Sequence, residues 1–522
     1  MAARARWPAC LWLGLLSWAA AARAGSAPLW FHDGRPTPQA EALVAQLAAA
    51  ADHGLDSADY GSEELAAMLE RQRHLPAPAA ESIAAADRAL SRAAFDYARD
   101  LHGGRINARA AGFAIGPPRA ALDRDATLAH LATSPDLAAE FAALEPPFLH
   151  YRLLETALRR YRELAAQPDL TRLPPLPQHT LRINDHYSGA PALRRLLVAL
   201  GDLAAAEAIV PDTARESIDP PLVQALTRFQ ARHGLGADGL LSRRTFAALT
   251  VPMPARVRQI ELTLERWRWL PAFNAPPIIV NIPQFQLFAF RGTDDRAADI
   301  AQMPVIVGQS FRDKRTPVFV SEIRQVVFRP YWDVPASIVR REMLAPMRAD
   351  AHYLERNNLE IVRGPGDDAT PVSPDAAAID ALEAGALRLR QRPGPDNALG
   401  LIKFVLPNAY GVYLHSTPAR ALFGKARRDF SHGCIRVSDP VALAVHVLRG
   451  NPDDWTAASV SEAMQGPDAR RVALARPVPV MILYGTALAT EGGPVLFFDD
   501  IYGYDRRLER MLRDRPRRRQ DD

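Results

Sequence analysis

The sequence predicts a multidomain α+β protein: a helical N-terminal scaffold, a small three-helix module, and a β-sandwich-like C-terminal domain with a helical capping insertion. Three observations predict it. The chain has 522 residues, enough for two to four domains. Apolar residues recur at i, i+3, i+4 and i+7 in 38-PQAEALVAQLAAAADHGL-55 and 148-FLHYRLLETALRRYRELAAQ-167, the period of a helix with one buried face. From about residue 276 the pattern changes to short β-branched and aromatic runs, which is strand chemistry.

The first segment, 1–24, reads as a cleavable export signal. Arg4 and Arg6 form a positive head, an apolar run follows from Pro8 to Ala22, and Ala22-Arg23-Ala24 is a small-x-small cleavage site. The apolar run is shorter than the roughly 20 residues of a spanning helix, so cleavage is favoured over an uncleaved anchor. Removing its three arginines leaves 60 basic against 59 acidic residues, a balance that argues against nucleic acid as a partner. Hydrophobic residues at 48% and charged residues at 23% are ordinary globular usage.

Residues 25–185 read as a helical scaffold, broken at Gly103-Gly104, Pro117-Pro118 and Pro146-Pro147, with no catalytic cluster. Within 190–252, helices are expected at 191-PALRRLLVALGDL-203, at 220-PPLVQALTRFQARHG-234 and in 236-GADGLLSRRTFAAL-249. This unit resembles the three-helix peptidoglycan-binding module, through Phe229-Gln230, Gly234-Leu235, Asp238-Gly239, Thr245 and Leu249; Ser242 stands where that family usually has glycine. A helical spacer without glycan affinity is the alternative.

A linker at Pro252 and Pro254 and a helix over 255–270 lead into 276–475. Strands are expected at 278-IIVNIPQFQLFAF-290, 303-MPVIVGQS-310, 318-VFVSEIRQVVF-328, 402-IKFVLP-407 and 410-YGVYLH-415. Their length and spacing argue a sandwich or a barrel. The stretch between Pro330 and Leu399 is too long for a plain loop. Helical pieces at 338-IVRREMLAPM-347 and 376-AAAIDALEAGAL-387 make 338–392 a helical cap. Residues 476–505 return to the strand pattern, and 506–522 read as a basic tail, solvated or touching an anionic surface.

The chemistry centres on 431-SHGCIRV-437. Cys434 is the only cysteine besides Cys10 of the signal, so the mature chain cannot form an internal disulfide. An unperturbed thiol is only about a few per cent thiolate at neutral pH; catalysis needs a base or a positive field beside it. His432 lies two residues upstream, His415 ends the strand YGVYLH, and Arg436 adds charge. Gly433 permits a backbone twist that other residues resist. A buried core cysteine is the plain alternative, but it requires none of these neighbours.

Ser416 to Phe430, followed by Ser431-His432-Gly433-Cys434-Ile435-Arg436, resembles the L,D-transpeptidase (YkuD-type) signature. The likeness extends to 316-TPVF-319, 329-RPYWDVPASI-338, 392-RPGPDNALGLIKFVLPNAYGVYLHSTP-418, Tyr484 and 499–504. With the scaffold and the peptidoglycan-binding-like module it looks like the large Gram-negative type. The resemblance implies Cys434 as nucleophile, His415 as general base and acid, and Ser416 orienting His415 through its carbonyl. It implies His432 and Gly433 shaping the turn with Ser431, backbone N–H groups of Gly433 and Cys434 binding an oxyanion, and Arg436 supporting the loop or a substrate carboxylate. His432 is the alternative base, disfavoured because a side chain two positions away on a tight turn reaches the sulfur poorly. Tyr413 and Asn408 are weaker candidates for substrate contacts. The implied protein is periplasmic, uses no cofactor and no metal, and acts on peptidoglycan stem peptides and glycan, with other cell-wall synthesis proteins as candidate partners. The implied reaction is 3→3 cross-linking through a Cys434 thioester. L,D-carboxypeptidase action, anchoring of a protein to the wall, and a non-catalytic peptidoglycan-binding scaffold are the competing readings.

Overall fold

A computed structural model describes residues 27–116, 119–212, 215–271, 275–292 and 301–515. The expected signal, and the Pro117-Pro118 break, lie outside the described residues. Among these, no helix is long and apolar enough to cross a membrane.

Helices Pro38–Ala48, Ser62–His74, Ala80–Gly103, Arg124–Thr133 and Leu137–Leu144 enclose their own core of Trp30, Leu43, Leu90, Tyr97 and Phe141. Their starts carry the side-chain caps that satisfy otherwise orphaned N–H groups: Thr37 accepts from Ala40 N, Asp123 from Ala126 N and Asp136 from Ala139 N. Helix Leu149–Ala165 leaves this bundle. Its Tyr151, Leu154, Leu158 and Tyr161 join a second core shared with helices Ala190–Leu200, Pro220–Arg232 and Met253–Trp267 and with the C-terminal sheet. The helical scaffold expected over 25–185 is therefore divided between two cores.

Eight strands build the C-terminal domain: β1 Ile278–Asn281, β2 Gln286–Ala289, β3 Ala301–Gly308, β4 Phe319–Phe328, β5 Ile402–Val405, β6 Leu414–His415, β7 Ile435–Val437 and β8 Arg470–Leu483. They are ordered β3-β7-β6-β5-β4-β8-β1-β2, and β2 pairs back onto β3 with Leu287 opposite Met303. That last pairing closes the ring. The expected sandwich is thus corrected to a closed barrel, in which no long strand is left with a free edge. Pairing is antiparallel except at β6–β7 and β8–β1. The strand Asp429–Ser431 adds in parallel to the end of β3.

The insertion between β4 and β5 is also corrected. It is not purely helical: Trp332–Asp333, Leu359–Arg363, Thr370–Val372 and Arg388–Gln391 form a four-stranded antiparallel sheet. Helices Leu344–Ala349 and Ala376–Glu383 cover it, around a core of Leu344, Met347, Ile361, Ile379 and Leu389. The run 359-LEIVR-363 is short and β-branched, so it pairs rather than coils. Residues 506–515 of the expected tail are likewise not free. Tyr504–Arg513 is a helix with Leu508 buried, and Glu509 pairs with Arg258 at 2.5 Å.

Candidate active site

In a strand, successive side chains point to opposite faces. On β6 and β7 the inward set is Leu414, Ile435 and Val437, all buried in the barrel core. The outward set is Tyr413, His415, Cys434 and Arg436, and all four line one cleft. Parallel pairing places Leu414 beside Ile435 and His415 beside Arg436, so the histidine lies two residues along in register from the cysteine, which immediately precedes β7.

His415 is 4% exposed. Its Nδ1 lies 2.6 Å from Ser416 O, which places the ring proton on Nδ1 and leaves Nε2 as the acceptor. Burial, helped by the Arg436 guanidinium, drops its pKa to about 3, so the ring is neutral at neutral pH. Ser416 fixes this geometry through its hydroxyl, which donates to Leu399 O at 3.1 Å and accepts from Leu401 N at 2.8 Å and Ile402 N at 3.2 Å. Gly400, at φ +62, makes the approach feasible: a Cβ there would lie 2.2 Å from Ser416 Oγ.

The turn carrying Cys434 is held from both sides. Ser431 Oγ donates to Cys434 O at 2.5 Å and accepts from Gly433 N at 3.1 Å. Thr316 Oγ1 donates to Gly433 O at 2.8 Å. Gly433 adopts φ +123, which residues with a Cβ resist. Because Gly433 N–H is engaged by Ser431, it is not a free oxyanion donor, which corrects the expected pair of donors.

The thiol of Cys434 is partly exposed and donates to Gly411 O at 3.8 Å. Burial pushes its pKa up; hydrogen bonds from Tyr413 and the charges of Lys403 and Arg436 oppose this without cancelling it. Lys403 lies on β5 opposite His415, with Nζ 4.0 Å from the centre of the Tyr413 ring. It was not among the residues expected from sequence. The one available signal was its position between Ile402 and Phe404, which puts it on the cleft-side face of β5.

His432 lines the same cleft as Cys434. Its Nε2 lies 2.8 Å from Glu342 Oε1, so the alternative base is occupied elsewhere. Asn408 does not line the cleft. Its amide ties a loop together, donating to Leu406 O at 2.8 Å and Val412 O at 2.7 Å and accepting from Tyr410 N and Val412 N. Its expected substrate contact is replaced by a turn-forming role. The insertion supplies the opposite wall of the cleft through Trp332, Ile338 and Glu342.

Family models match three parts of the chain: a scaffold domain at residues 22–158, a putative peptidoglycan binding domain at 188–249, and an L,D-transpeptidase catalytic domain at 276–454. Residues 276–454 are thus similar to an L,D-transpeptidase catalytic domain. A Haemophilus influenzae protein named as a putative L,D-transpeptidase is 33% identical over 279 residues, which is 52% of this chain and 54% of that relative. The match thus spans about half the relative's length. The L,D-transpeptidase match contains Cys434, His415 and the whole insertion, but β8 at Arg470–Leu483 lies beyond its end. The longest strand of the transpeptidase barrel, and the one that joins β4 to β1, is therefore supplied by the chain after the matched region.

Proposed function

We propose that the protein is a periplasmic cysteine L,D-transpeptidase that forms 3→3 cross-links between peptidoglycan stem peptides. The observation that carries this reading is the shared cleft of Cys434 and a neutral His415 whose Nδ1 is committed to Ser416 O. Nε2 remains to accept a proton, and the sulfur stands at the entry to the adjacent strand.

In the resting site both groups are neutral, because burial penalises a charge on either. Attack therefore proceeds with general-base assistance rather than from a preformed ion pair. Cys434 Sγ adds to the carbonyl of the third stem residue of a tetrapeptide donor while its proton passes to His415 Nε2. Cys434 N–H is the donor available to the oxyanion, while the Tyr413 hydroxyl is hydrogen-bonded to the sulfur. Collapse of the tetrahedral intermediate breaks the C–N bond, and His415 returns the proton to the leaving D-alanine amine, leaving a thioester. The side-chain amine of a diamino acid on a neighbouring stem then attacks the thioester carbonyl. Its proton goes to His415 and on to the departing sulfur, which restores the thiol. Glycan contact by the 188–249 module would hold the enzyme near its substrate.

The test is incubation with purified disaccharide-tetrapeptide, wild type against Cys434→Ala, read by mass. A dimer that has lost one alanine, absent with Cys434→Ala, is the expected product. A tripeptide alone would replace cross-linking by hydrolysis, and no change of mass would remove the enzyme reading.

A further inference from the structure

The mouth of the cleft holds a cluster that the reaction above does not use. Glu342, in the irregular helical turn Val339–Met343 of the insertion, reaches across to the barrel. Its Oε1 lies 3.2 Å from Lys314 Nζ and 2.8 Å from His432 Nε2, and Lys314 Nζ is 2.9 Å from the same histidine nitrogen. Arg341 of the same turn pairs with Asp313 of the same barrel loop. The insertion is thereby strapped over the cleft by one carboxylate resting on an ammonium and an imidazole.

We propose that Lys314 and His432 form a seat for a substrate carboxylate, that of the leaving D-amino acid, and that Glu342 occupies this seat until substrate displaces it. The inference rests on the reaction proposed above for the choice of ligand. Four observations favour it. His432 is two residues from Cys434 and lines the same cleft as Lys314 and Glu342, and in a tetrapeptide donor the free carboxylate is one residue from the carbonyl under attack. Glu342 Oε1 accepts from Lys314 Nζ at 3.2 Å with His432 Nε2 2.8 Å away, an ammonium and an imidazole nitrogen of the kind that meet a peptide carboxylate. The side chains are 42% exposed for Glu342, 24% for Lys314 and 34% for His432. A pair this exposed is worth little in stability, so an incoming carboxylate exchanges with it at small net cost. Irregular helical turns of this kind recur at functional sites.

Protection of Cys434 from iodoacetamide tests the seat without needing catalysis, with N-acetyl-D-alanine as probe and its amide as control. The wild type should be protected by the acid and not by the amide. Glu342→Gln should be protected at about two- to fivefold lower acid concentration, the range set by an exposed ion pair. Glu342→Gln combined with Lys314→Met should lose the distinction between acid and amide, and Lys314→Arg should keep it, which separates loss of the seat from loss of folding. Equal protection by acid and amide in the wild type, or no change on Glu342→Gln, would overturn the proposal. The two readings fail separately: alanine release with no preference for the acid removes the seat and keeps the reaction, whereas acid-selective protection without alanine release keeps the seat and removes the reaction.

Discussion

His415 and Cys434 are both shifted toward their neutral forms, and this sets two expectations. Iodoacetamide should alkylate Cys434 with a pH midpoint above that of a free thiol, contrary to the fast neutral-pH labelling that a preformed thiolate would give. Tyr413→Phe should move the midpoint further up, because the tyrosine's hydrogen bonds favour the thiolate; a midpoint below an ordinary thiol would contradict the neutral resting pair. The histidine also titrates against stability. Its folded pKa is about 3 against 6.5 in the unfolded chain, so the unfolded state gains a proton first as pH falls. The stability attached to this ring is full above pH 6.5 and is lost progressively from there toward pH 3. Relative to His415→Gln, the wild type should lose about 1 kcal/mol per pH unit in that window, read as urea midpoints. At this scale Cys434 and His415 stood out as candidates, since a lone cysteine beside glycine, histidine and arginine has few structural uses, and the two line one cleft. Lys403 and Glu342 were not, because a lysine in a strand or a glutamate in a helix looks the same whether or not a cleft lies beside it.

The turn 431–434 and the insertion are the elements that make the cleft. Thr316 clamps the turn by donating to Gly433 O and accepting from Gly308 N at 2.8 Å. Thr316→Val leaves both partners buried and unmatched, at about 1–3 kcal/mol. The expected result is a lowered thermal midpoint and a fall in kcat larger than any change in KM; wild-type turnover would show that the turn holds without this clamp. The insertion has a core of its own, so it can be removed as a unit. Joining residue 330 to residue 398 with a short glycine linker should raise the ratio of tripeptide to cross-linked dimer in mass spectra, since one wall that excludes water from the thioester is gone; an unchanged ratio would deny the insertion that role. Helical spacing announced its helices. Its four-stranded sheet was hidden because Arg-rich strands such as 388-RLRQ-391 carry little of the apolar alternation by which strands are recognised.

Across the whole molecule, buried charge ties the N-terminal helical bundle to the helices Leu149–Ala165 and Met253–Trp267 of the second core. Glu265, 0% exposed, accepts from Arg105 N at 2.5 Å and Ile106 N at 2.9 Å and pairs with Arg268. Glu265→Ala removes the buried carboxylate that faces Arg105 and Arg268 and should destabilise by about 3–5 kcal/mol, seen by calorimetry as earlier unfolding. A second tie joins His53 to Glu145 at 2.6 Å and Glu155 at 2.7 Å. Burial works against charging this histidine, but the two carboxylates hold its pKa at about 9. Its contribution is complete below pH 6.5 and disappears as pH rises through 9. His53→Gln should therefore destabilise by about 2 kcal/mol at pH 6 and by little at pH 9.5.

Local pattern alone determined the order of parts, the helices with their 3.6-residue apolar faces, the strand-rich C-terminal region, and one thiol with two candidate histidines. Those features depend on neighbours in the chain, and periodicity records neighbours. Closure of the barrel, the loss of Gly433 N–H to Ser431, the placing of Lys403 beside Tyr413 and the strap from Glu342 to Lys314 were decided only by tertiary structure. Each is a contact between segments far apart in sequence, set by which surfaces bury together, and no local pattern encodes that choice.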